Sequence, residues 1–221
     1  MTSIPLPIAL LLSALATGPA APADSSQASL AWPADSSGIA HIAGTDRPLR
    51  IWKMGGDYEL DFRKYRVRVT EGRGAAGETI RVVRLQGASQ SASSPPTAAP
   101  LVAVAEEHAW FWGVAGDLLF IDVGCCPFPR GLVVYDLARQ TRCFKSSWMN
   151  WRQDPTLREG RWFSYTEVIE NPRKKPDCGK QDELKEWIQQ GGDIGYEEDV
   201  ILDLKTLRVT RSGKIRCGPR Q

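Results

Sequence analysis

Five cysteines are the residues best suited to chemistry in this sequence: Cys125 and Cys126 side by side, then Cys143, Cys178 and Cys217. In an oxidising compartment their first use is disulfide formation, and an odd number leaves one over. Cys125 and Cys126 offer a strained vicinal bridge, or one of them trades places in another pair. A redox or nucleophilic use of them lacks support, because there is no C-x-x-C and neither His41 nor His108 has a spacing that ties it to the thiols. Glu106-Glu107-His108 and Glu197-Glu198-Asp199 gather acids without the alternating spacing of a calcium loop or a pair of well-placed histidines. On a strand, adjacent residues point to opposite faces, which splits each triplet. Neither a metal, a cofactor nor a catalytic residue is therefore assigned. Aromatic stacking is the remaining chemistry. Trp110, Trp112 and Trp162 read as packing residues, whereas Trp148 and Trp151 stand among Ser, Asn and Arg and are the expected exposed pair, able to stack on a ligand such as a sugar ring.

The elements that must position these residues are strands. LLFIDVG (118–124) and GLVVYDLARQTRCF (131–144) are rich in Val, Tyr and Phe and are broken by Gly, Pro and polar turns, the pattern of an up-down-up antiparallel meander. Leu118 to Ile121 and Leu132 to Tyr135 are apolar at consecutive positions, so both faces of this sheet are expected to be covered. The pattern returns downstream: Val133-Val134-Tyr135-Asp136-Leu137 aligns with Val200-Ile201-Leu202-Asp203-Leu204, an offset of 203 − 136 = 67 positions, with FSYTEVI (163–169) as the preceding strand. Asp136 and Asp203 then sit at equivalent strand ends, where an aspartate caps the following turn. Asp122 and Glu167, also within strands, are the remaining candidates for a carboxylate pair.

Strand direction constrains the disulfides. If 118–123 runs up, Cys125 and Cys126 lie at the top of the meander and Cys143 at the bottom. Five residues of strand separate them by roughly 16 Å, beyond the roughly 7 Å between Cα atoms that a disulfide tolerates. In the second copy Cys178 and Cys217 both fall at the top. Cys178–Cys217 is the expected bond and Cys143 the expected orphan.

The rest of the chain divides by composition. Residues 24–48, rich in Ser, Ala, Gly and Pro, read as an extended, poorly ordered lead-in. Residues 49–221 read as one β-rich domain. It opens with a strand, a Gly55-Gly56 turn and a second strand, in which Tyr65, Val67 and Val69 face inward and Arg66 and Arg68 line a solvent face; a partner strand follows at 79–85. Residues 87–100 form a flexible loop. An insert at 170–196 holds a helix over Lys180 to Gln190, whose Leu184, Trp187 and Ile188 make an apolar stripe ended by Gly191-Gly192. The fold class is mainly β: antiparallel meanders, as a blade-like repeat, sandwich or partial propeller, with one short helix in an insert.

The recurring apolar run, Tyr/Leu-Asp-Leu, polar turn and return strand resembles the blade hairpins of secreted repeat proteins. YEEDVILDLKTLRVTRSGKIRCGPRQ (196–221) is similar to the C-terminal ends of small secreted bacterial proteins. The resemblance covers the last half of the chain, implies a β-rich secreted protein and transfers no catalytic residue.

Composition and targeting point the same way. The chain has 221 residues, 42% of them hydrophobic, including eight tryptophans, and can bury a sizeable core. A net charge of +2 with the two signs mixed gives no nucleic-acid signal. IPLPIALLLSALA (4–16), then Ala-Pro-Ala at 21–23, matches the hydrophobic and cleavage regions of an export signal, although Met1-Thr2-Ser3 lacks Lys or Arg. It is too short for a stable anchor, so residues 1–23 read as a cleaved signal and the product as periplasmic or extracellular, not integral to a membrane. The expected function is a non-catalytic module binding a protein or glycan in the cell envelope. The alternatives are an envelope hydrolase or thiol-dependent enzyme, and a structural piece of an envelope assembly. An exposed Trp row would favour glycan, an apolar edge a protein partner, and converging carboxylates or a Cys–His contact an enzyme.

Overall fold

The computed structural model describes residues 38–72, 76–85, 99–125, 129–149 and 152–220. The export-signal residues, most of the loop 87–100, Cys126 and Trp151 lie outside them. The chain is mainly β and antiparallel, as the sequence pattern requires.

A five-stranded sheet comes first, in the order β1 (Arg50–Met54), β2 (Asp57–Asp61), β3 (Tyr65–Glu71), β4 (Glu78–Arg84) and β5 (Val102–Ala103). The stretch read as one strand after Gly55-Gly56 is thus two, β2 and β3, separated by a turn at Phe62–Lys64. Only Gly55 of the two turn glycines has a positive φ, +67°, the pattern of a type II′ hairpin. The nine-stranded second sheet comprises β6 (Ala109–Ala115), β7 (Leu118–Val123), β8 (Arg130–Asp136), β9 (Thr141–Met149), β10 (Thr156–Arg158), β11 (Trp162–Ile169), β12 (Asp193–Asp203), β13 (Arg208–Arg211) and β14 (Arg216–Arg220). Its main path runs β13-β12-β11-β9-β8-β7-β6; β10 adds to β11 and β14 to β12.

Two apolar clusters explain the consecutive hydrophobic residues of the central meander. Leu119, Ile121 and Val133 pack with Phe111 against Leu60, Val67 and Ile80 of the first sheet. Phe120, Leu132 and Val134 turn the other way and join Trp148, Phe163, Tyr165, Val200 and Leu202. Strands β7 and β8 are buried on both faces, and each such side chain contributes about 1.5–3 kcal/mol.

The lead-in departs from expectation. Its described part, 38–48, is built into the fold: Ile42 belongs to the second cluster, its N–H bonds Trp112 O at 2.9 Å, Asp46 N–H bonds Val114 O at 2.7 Å, and Leu157 N–H bonds Ala43 O at 2.8 Å. A small-residue composition hid two apolar anchors, Ile39 and Ile42. Thr45 comes so close to β6 that a Cβ on Gly113, where φ is +136°, would lie 2.7 Å from its methyl group.

The insert differs too. Its α-helix, α1, spans only Lys185–Gln189 and follows 3-10 turns at Cys178–Lys180 and Asp182–Leu184. Leu184 is buried, Trp187 half-buried with Nε1–H donating to Asp193 O at 2.7 Å, and Ile188 exposed. Five residues cannot present a two-turn stripe, so the expected docking face reduces to Leu184 and the indole.

The hairpins after β8 and β12 each begin on an aspartate that caps the turn. Asp136 Oδ1 accepts the Arg139 N–H at 2.9 Å, and Asp203 Oδ1 accepts the Lys205 N–H at 3.0 Å. Gln140 (φ 60°) and Leu207 (φ 56°) close the two turns in the left-handed region. Asp203 also takes a two-pronged bond from Arg161, 2.9 Å on each oxygen, which holds its carboxyl well below the usual range. Asp136→Asn is expected to lower Tm by roughly 2–4 °C, and Asp203→Asn by more because it also weakens the Arg161 fork. Equal, negligible shifts in calorimetry would remove the capping role.

Candidate functional site

The cysteines resolve first. Cys178 and Cys217 are bonded, with 5.6 Å between their Cα atoms. Cys143 on β9 is a free thiol, half-buried, its Sγ directed at Val134 O at 3.4 Å. Burial pushes that thiol's pKa up, with Asp136 adding to the effect, the reverse of what a nucleophile needs. Cys125 is exposed beyond β7; its pairing with Cys126 falls outside the described residues.

Trp148 is not an exposed stacking residue. It is 3% exposed, packs 4.3 Å from the Trp112 ring, and its Nε1–H donates to Asp122 Oδ1 at 3.0 Å. Its hydrophilic neighbours misled: alternation along β9 turns Trp148 onto the second cluster while Ser147 beside it faces the other side. Trp151 lies outside the described residues.

The carboxylates are committed one by one. Arg130 Nε bonds both oxygens of Asp122, at 2.9 and 2.7 Å. Glu167 accepts from Ser146 Oγ at 2.9 Å and pairs with Arg211 at 2.6 Å. The triplet 197–199 splits across the sheet as strand geometry requires. Glu197 and Asp199 meet Arg216 on one face, and Glu198 takes the Gly213 N–H at 2.5 Å on the other. Glu106 accepts from Tyr135 Oη at 2.5 Å and pairs with Arg142. His41 and His108 bond the carbonyls of Ile39 (2.7 Å) and Ala76 (2.8 Å). Among the described residues no three of His, Cys, Asp and Glu are grouped as a metal would need.

Two arginines of the first sheet, Arg66 and Arg68, are likewise neutralised. Arg66 forks onto Asp61 at 2.6 and 3.0 Å and lies 5.1 Å over the Trp52 ring, and Arg68 pairs with Glu59. Arg66 is therefore buried among its partners and does not line a solvent face.

What the arrangement leaves open is β1. Leu49, Ile51 and Met54, at 62, 38 and 57% exposure, are three of the four large apolar side chains exposed among the described residues. They sit on or next to the edge strand of the first sheet. Cross-strand register shows what Ile51 belongs to. Val102, Val82, Val67 and Leu60 form one buried row across the sheet, and Ile51, opposite Leu60, is its exposed last member. With a two-residue turn, Met54 and Asp57 form a closely bonded pair, so alternation leaves the N–H and C=O of Ile51 pointing outward along the edge.

A cleft of about 240 Å³ adjoins the N-terminal end of β1. Leu49, Phe62 and Tyr65 give it apolar walls, and Arg47, Arg63 and Asp46 border it. Asp46 accepts the Gly116 N–H at 2.8 Å, yet burial raises its pKa in spite of that bond and of Arg63. Tyr65 donates to Asp117 at 2.6 Å; burial and that bond push the phenol up to about 12, and the same bond, with Lys64, holds Asp117 low. Among the described residues, neither Arg47, Arg50 nor Arg63 forms an ion pair within 4 Å.

This edge was not singled out in the sequence. RIWKM is apolar at both parities, which is also the pattern of a strand covered on both faces, so the sequence carries no signal that sets this strand at an edge. Comparison with known proteins finds no matching family model, no similar curated protein and no similar solved structure, so function rests on the chemistry of this chain.

Proposed function

We propose that the chain is an exported, non-catalytic module that binds a protein in the cell envelope, and that it binds along the open edge of β1. One observation carries this: the buried apolar row from Val102 to Leu60 ends on an exposed Ile51, flanked by exposed Leu49 and Met54. Monomeric proteins blunt such edges, and an apolar one with outward backbone groups is a template for another strand. The Cys178–Cys217 bond is compatible with an oxidising compartment, and among the described residues no helix is long and apolar enough to cross a membrane. A protein partner is favoured over a glycan because Trp148 offers no open ring face.

The test uses the mature protein as bait in envelope extract, with Ile51→Lys as the comparison. The substitution is at an exposed side chain and should change stability by no more than about 0.5 kcal/mol, with unchanged circular dichroism. Recovery of the partner captured by the parent should fall by at least about tenfold, the effect of about 1.4 kcal/mol. Equal capture by parent and variant would remove β1 as the binding element.

A further inference from the structure

We infer that the occupant of β1 is an antiparallel strand at the C-terminus of its own chain, with an acidic side chain opposite Arg50, apolar side chains opposite Ile51 and Leu49, and its terminal carboxylate at Arg47 and Arg63. This rests on β1 being the binding edge, and register, charge and orientation carry it further.

Register sets the alternation. On the outer face Arg50, Asp61 and Arg66 stand opposite one another in the order plus, minus, plus. Asp61 is already forked by Arg66, and Arg50 forms no ion pair among the described residues. The next strand outward therefore continues the ladder with an acid. On the inner face the row ending in Ile51 continues with an apolar side chain. Leu49 lies before the paired register, its N–H bonded to Asp61 O at 2.6 Å, and lines the cleft with Phe62 and Tyr65, so an apolar side chain suits the position beside it too.

Charge sets the direction. Antiparallel pairing brings the partner's C-terminal end to the start of β1, where Arg47 and Arg63 outnumber the one acid, Asp46, at the cleft; parallel pairing would bring an N-terminal amine to the same net positive charge. Guanidinium groups bind carboxylates by charge-assisted hydrogen bonds and repel ammonium. Antiparallel pairing is also the more stable per residue. A second copy of this chain fits poorly. RIWKM carries two positive charges and no acid, so a paired β1 strand offers no carboxylate to Arg50.

The probe is a fluorescently labelled hexapeptide, TVTVEV, with a free C-terminal carboxylate, titrated by fluorescence anisotropy against the full mature protein. Its six residues span Met54 to Leu49 in the antiparallel register. Binding is expected to weaken about tenfold on amidating the C-terminus and about tenfold in TVTVKV. Arg50→Glu should reverse the preference in favour of TVTVKV, and Arg47→Ala with Arg63→Ala should erase the difference between acid and amide. The inference is overturned if the Glu and Lys peptides bind alike, if acid and amide bind alike, or if no peptide binds while Ile51→Lys still abolishes partner capture; in that last case β1 stands as the edge and only the occupant's chemistry fails. If Ile51→Lys captures the partner as well as the parent does, the edge itself fails. A dimer that forms with the parent and is lost in Ile51→Lys, seen by light scattering, would replace the inferred strand with a second copy.

Discussion

Reduction of the Cys178–Cys217 bond is expected to lower the stability of the folded chain by about 4 kcal/mol. The bond spans 39 positions. Closing a loop of that length removes chain entropy from the unfolded state worth about 4 kcal/mol at 25 °C in the chain-entropy model. The location adds to the consequence. Cys217 is fully buried in β14 opposite Tyr196 of β12, and Cys178 belongs to the insert between β11 and β12, where Leu184 is the fully packed apolar anchor. Set against a typical total of 5–15 kcal/mol, the loss leaves the chain marginal in a reducing compartment. Denaturant titration with and without reductant should show the midpoint falling accordingly. In the unreduced protein Cys143 should react with an alkylating agent only after unfolding, because its thiol is half-buried and free. A midpoint that moves by less than about 1 kcal/mol equivalent would mean the insert is held by its other contacts.

The disulfide was legible in the sequence because strand direction is a long-range constraint that short-range patterns fix. Consecutive apolar residues at 118–121 and 132–135 identified a doubly covered meander, the meander fixed which turns share an end, and that placed Cys178 beside Cys217 and Cys143 apart. Asp136 and Asp203 were legible for a similar reason: turn capping is local. Trp148 and Ile51 were not, because exposure belongs to the sheet and not to the strand. Trp148 has polar neighbours along the chain but lies over Trp112 across it, and Ile51 has an apolar row beside it on one side only. Which strand ends a sheet depends on pairing order, and no periodicity within RIWKM encodes that order. The described part of the lead-in, 38–48, departed from its reading for a third reason. Two anchors, Ile39 and Ile42, suffice to hold a segment whose average composition reads as loose.

Neutralising Glu197 should cost about 3 kcal/mol. The side chain is fully buried, an unusual place for a carboxylate, and it lies between two guanidiniums, Arg152 at 3.1 Å and Arg216 at 2.6 Å. Removing one member of a buried ionic group costs about 3–5 kcal/mol, because the groups around it were desolvated to meet its charge. The lower end applies because the two arginine side chains remain 24 and 25% exposed and water offsets part of the loss. Glu197→Gln keeps the shape and removes only the charge, so urea denaturation at pH 7 should show a lower midpoint with an unchanged slope. Asp199 supplies the pH control. The Arg216 fork holds its carboxyl below the usual carboxylate value, with Thr166 adding a bond at 3.1 Å. A depressed pKa in the folded state means stability that is present above the unfolded value of about 3.9 and lost as pH falls through the folded one. Asp199→Asn should therefore be less stable than the parent at pH 7, and the gap should narrow as the pH falls below the unfolded value. A gap that stays constant across that range would show that Asp199 acts by shape and not by charge, and a Glu197→Gln midpoint equal to the parent's would show that the two arginines find sufficient partners without it.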